Sequence, residues 1–151
     1  MPGHLARRYQ QIAVAILQAV VGEAGFDLTP VQYAALVTIM LNPGTDQATL
    51  AGLIAYDRTT IGGVVDRLAQ KGLVAREVSD RDRRAHALRV TDAGLDTVRR
   101  VEPAVLEAQR IMLRGLDEKE AAELLRLLHK AIVVGNDLSR APLRAAATSD
   151  E

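Results

Sequence analysis

The stretch DQATLAGLIAYDRTTIGGVVDRLAQKG, residues 46–72, decides the fold of this chain. Asp46 and Asp57 each precede a run with helical spacing, and aspartate is a favoured N-cap residue because its carboxylate accepts hydrogen bonds from free backbone N–H groups. Apolar residues of the second run recur at the i, i+3, i+4, i+7 positions of one helix face, and these are Ile61, Val64, Val65 and Leu68. Gly72 favours a helix end. The stretch therefore predicts two short helices joined by a tight connection.

After residue 72 the apolar period changes from helical to strand-like. The runs LVAREV (residues 73–78) and HALRV (residues 86–90) contain β-branched residues in rough alternation, which is typical of short strands. The charged residues between them predict a turn, so the two runs would form a hairpin. Two short helices followed by a hairpin are the layout of a winged helix-turn-helix, in which the second helix can enter the major groove of DNA.

Long amphipathic helices are predicted on both sides of this unit. Helical apolar spacing indicates one helix in residues 5–25, one in residues 30–41 and two between residues 91 and 139. A chain of this size cannot easily bury all these apolar stripes by itself, so we expect pairing between two copies. We predict one domain, mainly α with a small β-hairpin wing. Its parts are dimerisation helices at residues 1–28 and 92–140, a winged-helix DNA-binding lobe at residues 29–91 and a flexible tail at residues 141–151.

The composition excludes several classes of protein. The chain has 19 basic and 19 acidic residues, yet residues 57–100 alone carry 10 basic and 7 acidic groups. This indicates a modest local positive charge and not a polybasic arm. The absence of Cys excludes disulfides, thiol redox chemistry and Cys-ligated zinc. The apolar run at residues 12–22 is too short to span a bilayer and lacks the flanks of a signal peptide, so we expect a cytoplasmic protein.

No catalytic, metal or cofactor site is predicted. No nucleophile and base can be paired from their spacing, and no glycine-rich phosphate loop follows a strand, so we do not expect an enzyme. His4 and His129 fit no metal-ligand spacing. His86 lies beside the predicted wing and is either simply exposed or a phosphate contact.

The outward face of the second short helix is the first candidate DNA-binding surface. Its candidate residues are Arg58, Thr59, Thr60, Gly62, Gly63 and Arg67. Two adjacent glycines inside a helix each cost about 1 kcal/mol relative to alanine, so something must need the space. Either they allow close helix packing inside the protein, or they let the helix approach the floor of a groove. We favour the groove, because other residues already supply the apolar face.

The stretch SDRDRRAH, residues 79–86, is the second candidate surface. A charged turn is usually only solvated, but this one follows a helix-turn-helix pattern and is rich in arginine. Asp82 precedes Arg84 by two residues and can brace its guanidinium, and an arginine gains from the negative potential of a narrow minor groove. We therefore predict that Arg84 enters the minor groove, while Arg81 and Arg83 contact phosphates.

Residues 46–94 resemble the core of the MarR family of winged-helix regulators, and the flanking helices extend the similarity over nearly the whole chain. The D-x-R pattern at Asp82 and Arg84, followed by L-x-V-T-x-x-G from Leu88 to Gly94, carries the resemblance. It implies a homodimer joined by helices from both chain ends, a recognition helix from Arg58 to about Lys71 and a wing centred on Arg84. It also implies a palindromic DNA operator with half-sites about 34 Å apart.

The opening PGHLARRYQQ, residues 2–11, is similar to a branch of this family that responds to aromatic acids. In that branch the arginine matching Arg7 pairs with the ligand carboxylate, which makes Arg7, Arg8 and Gln11 candidate ligand-binding residues. Ala13 stands where the branch can place a histidine, so the site would be less polar. The alternative is that Arg7 and Arg8 are solvated residues near a fraying terminus.

The resulting hypothesis is a homodimeric DNA-binding transcriptional regulator. We expect a repressor that a small aromatic carboxylate or phenolic ligand releases from its operator. The alternative is a winged helix that serves as a protein-interaction module without specific DNA binding, which the zero net charge favours.

Overall fold

The computed structural model describes residues 1–78 and 86–144. The described elements are α1 (Pro2–Glu23), α2 (Pro30–Leu41), α3 (Gln47–Leu53), α4 (Arg58–Gln70), β1 (Val74–Val78), β2 (His86–Val90), α5 (Asp92–Leu113), α6 (Glu118–Gly135) and a short 3-10 helix (Asn136–Leu138). The strands are antiparallel, with Val74 opposite Val90 and Val78 opposite His86. This order confirms the predicted fold class, a mainly helical winged helix-turn-helix with a small hairpin.

The chain divides into two compact units. The terminal-helix unit combines Met1–Pro30 with Arg99–Val133, and the winged-helix unit combines Val31–Val98 with Val134–Glu151. The largest fully buried side chains of the winged-helix unit are aliphatic, and they are Leu36, Ile39, Leu50, Ile61, Val65, Leu68 and Leu88. They come from α2, α3, α4 and β2, so the apolar faces predicted from the sequence meet in one core.

A glycine allows the base of the hairpin to pack tightly against the start of α5. A Cβ atom on Gly94 would lie 2.2 Å from the backbone oxygen of Leu73 and 2.6 Å from Cγ1 of Val90. Beside it, the Thr91 hydroxyl donates to the Gly72 carbonyl at 2.6 Å and accepts a hydrogen bond from the Gly94 N–H at 3.1 Å. The T-x-x-G part of the motif therefore ties the wing to the following helix.

The terminal-helix unit has a small core and a large exposed apolar surface. Its buried apolar residues lie in or near α1 and α5, and they are Val21, Leu28, Val101, Ala104 and Ala108. No residue of α6 (Glu118–Gly135) is buried. Even its large apolar residues are about half exposed, Leu125 at 55% and Ile132 at 59%. The amphipathic pattern of α6 thus leaves an apolar face that this unit does not cover.

The chain beyond α6 makes specific hydrogen bonds before the described part ends at Arg144. The Arg144 N–H donates to the carbonyl of Gly52 in α3 at 2.9 Å. The flexible tail predicted from residue 141 stays a prediction, to which the structure adds this one backbone hydrogen bond at Arg144. Within the described residues, no helix is both long enough and apolar enough to cross a membrane.

Candidate nucleic-acid interface

The connection between α3 and α4 positions the start of the candidate recognition helix. Ala55 in this connection adopts a left-handed backbone conformation with φ of 54°. Asp57 then caps α4: its carboxylate accepts hydrogen bonds from the Thr60 hydroxyl at 2.6 Å and from the Thr60 backbone N–H at 2.9 Å. These bonds, the hydroxyl bond first, lower the pKa of Asp57 below its ordinary value. The predicted cap is confirmed, and the hydroxyl proton of Thr60 is already used inside the protein.

Helix α4 separates an apolar face from a polar one, as the sequence predicts. Its buried residues are Ile61, Val64, Val65 and Leu68. The candidate DNA-binding residues Arg58, Thr59, Thr60, Gly63 and Arg67 are all exposed, and Gly62 is half-buried. Arg58 and Arg67 stand nine residues apart, which is about 13 Å along a helix axis. Nine residues also correspond to about two and a half turns at 3.6 residues per turn, so the two guanidinium groups lie on opposite edges of the exposed face, with small groups between them.

The two adjacent glycines have different surroundings. A Cβ atom on Gly62 would lie 3.1 Å from Nε2 of Gln47 in α3, whereas a Cβ atom on Gly63 would have no neighbour within 4 Å. Gly62 thus matches the internal-packing alternative, because a side chain there would press on α3. The space at Gly63 is open to the outside, as the groove-approach interpretation requires.

Two ion pairs brace the wing strands, and neither was predicted from the sequence. Arg76 on β1 donates a hydrogen bond to Asp66 on α4 at 2.5 Å, and Arg89 on β2 donates to Glu77 on β1 at 2.7 Å. The first pair joins the wing to the polar face of α4. The charge pattern at these positions was visible in the sequence, but the pairing depends on how the hairpin packs against the helix.

The predicted contacts of the wing tip lie outside the described residues. Arg81, Asp82, Arg83 and Arg84 all belong to residues 79–85, which join Val78 to His86. These two strand ends are opposite each other in the hairpin register, and His86 is exposed. The four residues therefore remain sequence predictions.

The candidate ligand residues lie on α1 in the terminal-helix unit. Arg7, Arg8 and Gln11 are all exposed, and Ala13 is half-buried. Arg7 and Gln11 are four residues apart, so they share one face of α1. Ligand binding by these residues stays a prediction.

Metal-binding clusters are not found among the residues that the structure describes, where no group of three or more His, Cys, Asp or Glu side chains could hold an ion. His4 and His129 are exposed and lie on α1 and α6.

Sequence comparisons connect the chain to transcriptional regulators. A family model described as MarR family matches residues 26–85. The chain is 36% identical over 103 residues to a putative transcriptional regulatory protein for the hcr operon of Thauera aromatica, a match that covers 68% of this chain and 62% of that protein. It is 29% identical over 130 residues to the HTH-type transcriptional repressor NicR of Pseudomonas putida, which covers 86% of this chain and 81% of NicR.

Solved structures share both fold and sequence with the chain. The PcaV transcriptional regulator of Streptomyces coelicolor, in complex with its natural ligand, has a TM-score of 0.81 and 34% identity and covers 89% of this chain and 94% of PcaV. The transcriptional repressor CouR, bound to a 23-mer DNA duplex, has a TM-score of 0.80 and 27% identity and covers 87% of this chain and 92% of CouR. Both alignments extend well beyond the winged helix.

Proposed function

The chain belongs to the MarR family, whose members are transcription regulators and not enzymes, and from this premise we propose that it is a homodimeric repressor of ligand-responsive genes. It binds a palindromic operator through its winged-helix unit and leaves it when a small aromatic carboxylate or phenolic compound binds. Its proposed location is the cytoplasm.

The exposed face of α4 is the observation that carries the proposal. Arg58 and Arg67 flank a surface that has no side chain at Gly63, and the opposite face of the helix is buried. The major groove is about 12 Å wide and admits a helix. Without a side chain at Gly63, the backbone of α4 can approach the base edges, while Arg58, Thr59 and Arg67 contact phosphates or bases.

The wing adds the second contact. In this proposal Arg84 of the tip enters the minor groove, Asp82 braces it, and Arg81 and Arg83 bind phosphates. The pair of Arg76 with Asp66 supports this arrangement, because it links the strand that leads to the tip with the helix that enters the major groove.

Dimerisation is assigned to residues 1–28 and 92–140, with residues 29–91 as the DNA-binding lobe. The uncovered apolar face of α6 supports this division, because leucine and isoleucine side chains there are about half exposed in a single chain. Full burial of an exposed side chain of this size contributes about 1.5–3 kcal/mol, so covering the exposed half contributes roughly half of that. A second copy, which carries the same face, is a suitable partner in a symmetric interface.

The repressor role and the effector are proposed from the relatives and from α1. NicR is described as a repressor, and PcaV was solved with its natural ligand. The exposed guanidinium of Arg7 can bind a carboxylate through two parallel hydrogen bonds, with Arg8 and Gln11 as neighbours. Ala13 adds only a methyl group, so the ring of the effector would meet an apolar surface there.

Selection from a library of duplexes with a randomised 30-base-pair centre tests the DNA function. The expected product is a palindrome whose half-sites are about 10 base pairs apart, because two recognition helices of a symmetric dimer enter successive major grooves on one face. A winged-helix protein-interaction module, which the zero net charge favours, would enrich no sequence.

Titration with benzoate and hydroxybenzoates against the selected duplex tests the effector. The wild type is expected to release DNA, whereas Arg7→Ala should bind the duplex normally and fail to release it. Normal release by this variant would remove Arg7 from the ligand site.

A further inference from the structure

The segment that follows α6 is docked against the first helix of the helix-turn-helix. The Arg144 N–H donates to the Gly52 carbonyl of α3 at 2.9 Å. The Asn136 side chain holds the backbone of Leu143 at both polar groups, accepting from its N–H at 2.8 Å and donating to its carbonyl at 3.1 Å. We call residues 136–144 the C-terminal strap. Two of these hydrogen bonds therefore close the strap on itself, and one joins its end to α3.

A glycine in α3 permits this close approach. A Cβ atom on Gly52 would lie 3.1 Å from Cδ and 3.3 Å from Cγ of Arg144. Any side chain larger than hydrogen would push the arginine stem away from α3. The stem of the Arg144 side chain thus lies along the surface of α3.

The strap, α3 and the start of α4 line a half-open pocket of about 210 Å³ that is rich in arginine. Arg58, Arg140 and Arg144 line it together with Tyr56 and Asp57. The carboxylate of Asp57 is engaged by the hydroxyl and the N–H of the residue that it caps. Among the described residues, none of the three guanidinium groups forms an ion pair with a carboxylate. The pocket therefore combines three positive charges with one carboxylate and favours an anion.

We propose that the C-terminal strap is part of the DNA interface, where Arg140 and Arg144 join Arg58 to bind a backbone phosphate beside the recognition helix. This inference rests on the proposed function and assigns residues 136–140, which were placed with the dimerisation helices, to the DNA-binding unit, in which residues from Val134 onward are grouped. In a helix-turn-helix the first helix crosses the DNA backbone while the start of the second reaches the bases. The strap lies on the first helix and beside the start of the second, where a phosphate would pass. Arginine suits this task because its planar donors match phosphate oxygens.

Binding isotherms at several salt concentrations test the strap. The probes are the palindromic duplex selected from the library and a duplex of unrelated sequence and equal length. The variants are Arg140→Ala/Arg144→Ala and the control Arg114→Ala/Lys119→Ala, which changes the net charge equally at two exposed residues, one just after α5 and one in the first turn of α6. Thermal unfolding verifies that each variant folds.

The strap variant is expected to bind both duplexes at least fivefold more weakly than the control in 100 mM salt. Its plot of log affinity against log salt should be shallower by about 0.9 for each lost phosphate contact, hence about 2 for a dimer. The affinity ratio between the two duplexes should stay unchanged, because phosphate contacts carry no sequence information. Equal affinity and salt slope in the strap variant and the control would overturn the proposal.

The variant Asn136→Ala tests whether DNA binding depends on the position of the strap as well as on its positive charge. This variant keeps both arginines but removes the hydrogen bonds to residue 143. We therefore expect its affinity for DNA to fall more than that of the control and less than that of the strap variant. Wild-type affinity in Asn136→Ala would contradict a docked strap. If the wild type itself binds no duplex, the proposed function fails, whereas wild-type binding with an unaffected strap variant rejects only this inference.

Discussion

Arg76 of strand β1 donates a hydrogen bond to Asp66 of helix α4 at 2.5 Å, and this pair links the wing to the polar face of the recognition helix. The two side chains are 33% and 56% exposed, so the pair contributes little to stability. Its consequence is electrostatic: it neutralises a carboxylate on the surface that we propose for DNA. The pair also fixes the direction in which the strand leaves the helix.

Replacing Arg76 by Gln tests this relationship. The variant leaves the carboxylate of Asp66 unpaired near phosphates, so we expect operator affinity to fall several-fold while the free energy of unfolding changes by less than about 1 kcal/mol. Combining it with Asp66→Asn should restore much of the affinity. Arg89→Gln, which breaks the other wing ion pair, is the control. Anisotropy titrations measure the affinities, and equal loss in both single variants would argue against a specific role of Asp66.

Gly94→Ala is expected to destabilise the winged-helix unit by about 3 kcal/mol or more, because the added methyl group would collide with backbone and not with a flexible side chain. The colliding atom is the carbonyl oxygen of Leu73, 2.2 Å from the Cβ position. Gly115→Ala, where a Cβ atom meets nothing within 4 Å, should change stability by less than about 0.5 kcal/mol. Urea unfolding compares the two variants, and similar midpoints would contradict the packing described for the base of the hairpin.

The variant Gly63→Leu tests whether the open site at residue 63 is needed for DNA binding and not for folding. The site is open and leucine is a better helix former, so we expect a free energy of unfolding equal to or up to about 1 kcal/mol above that of the wild type. The leucine side chain would hold α4 away from the base edges, so affinity for the selected operator should fall at least tenfold, and affinity for unrelated DNA much less. Unchanged operator binding by Gly63→Leu would contradict the approach of α4 to the base edges.

The cap of α4 makes stability depend on pH through Asp57. Because hydrogen bonds from Thr60 lower the pKa of Asp57 in the folded protein, the carboxylate stabilises the fold fully above the ordinary aspartate pKa of about 4. This contribution disappears as the pH falls through the lowered folded pKa. Asp57→Asn keeps an N-cap residue but does not titrate. The stability difference between wild type and Asp57→Asn, from urea unfolding, should shrink between pH 5 and about pH 2, and a constant difference would oppose this assignment.

Local patterns made part of the structure predictable from the sequence. The buried face of α4 and the caps at Asp46 and Asp57 depend on neighbours within one or two helical turns, and the structure has them where predicted. The pairing of Arg76 with Asp66 was missed because it requires the strand to pack on the helix. The docking of Arg144 on α3 was missed because no periodicity marks a contact between such distant parts of the chain.

The two candidate glycines show the same limit within one helix. Gly62 and Gly63 are equivalent as sequence, since both break the helical preference of the run. Only the position of Gln47 on α3 distinguishes them, because it lies 3.1 Å from the Cβ position of Gly62 and leaves that of Gly63 open. A spacing pattern shows which face of a helix points outward, but not which neighbouring element covers part of that face.

The salt dependence of binding to the selected palindromic duplex tests the central claim most directly. If the winged-helix unit binds DNA as proposed, affinity should fall at least tenfold between about 50 and 200 mM salt, because phosphate contacts release counterions. At physiological salt the palindrome should bind about 1,000-fold or more tightly than unrelated DNA. An affinity that is flat across this range, or equal for the two duplexes, would contradict a sequence-specific DNA-binding regulator.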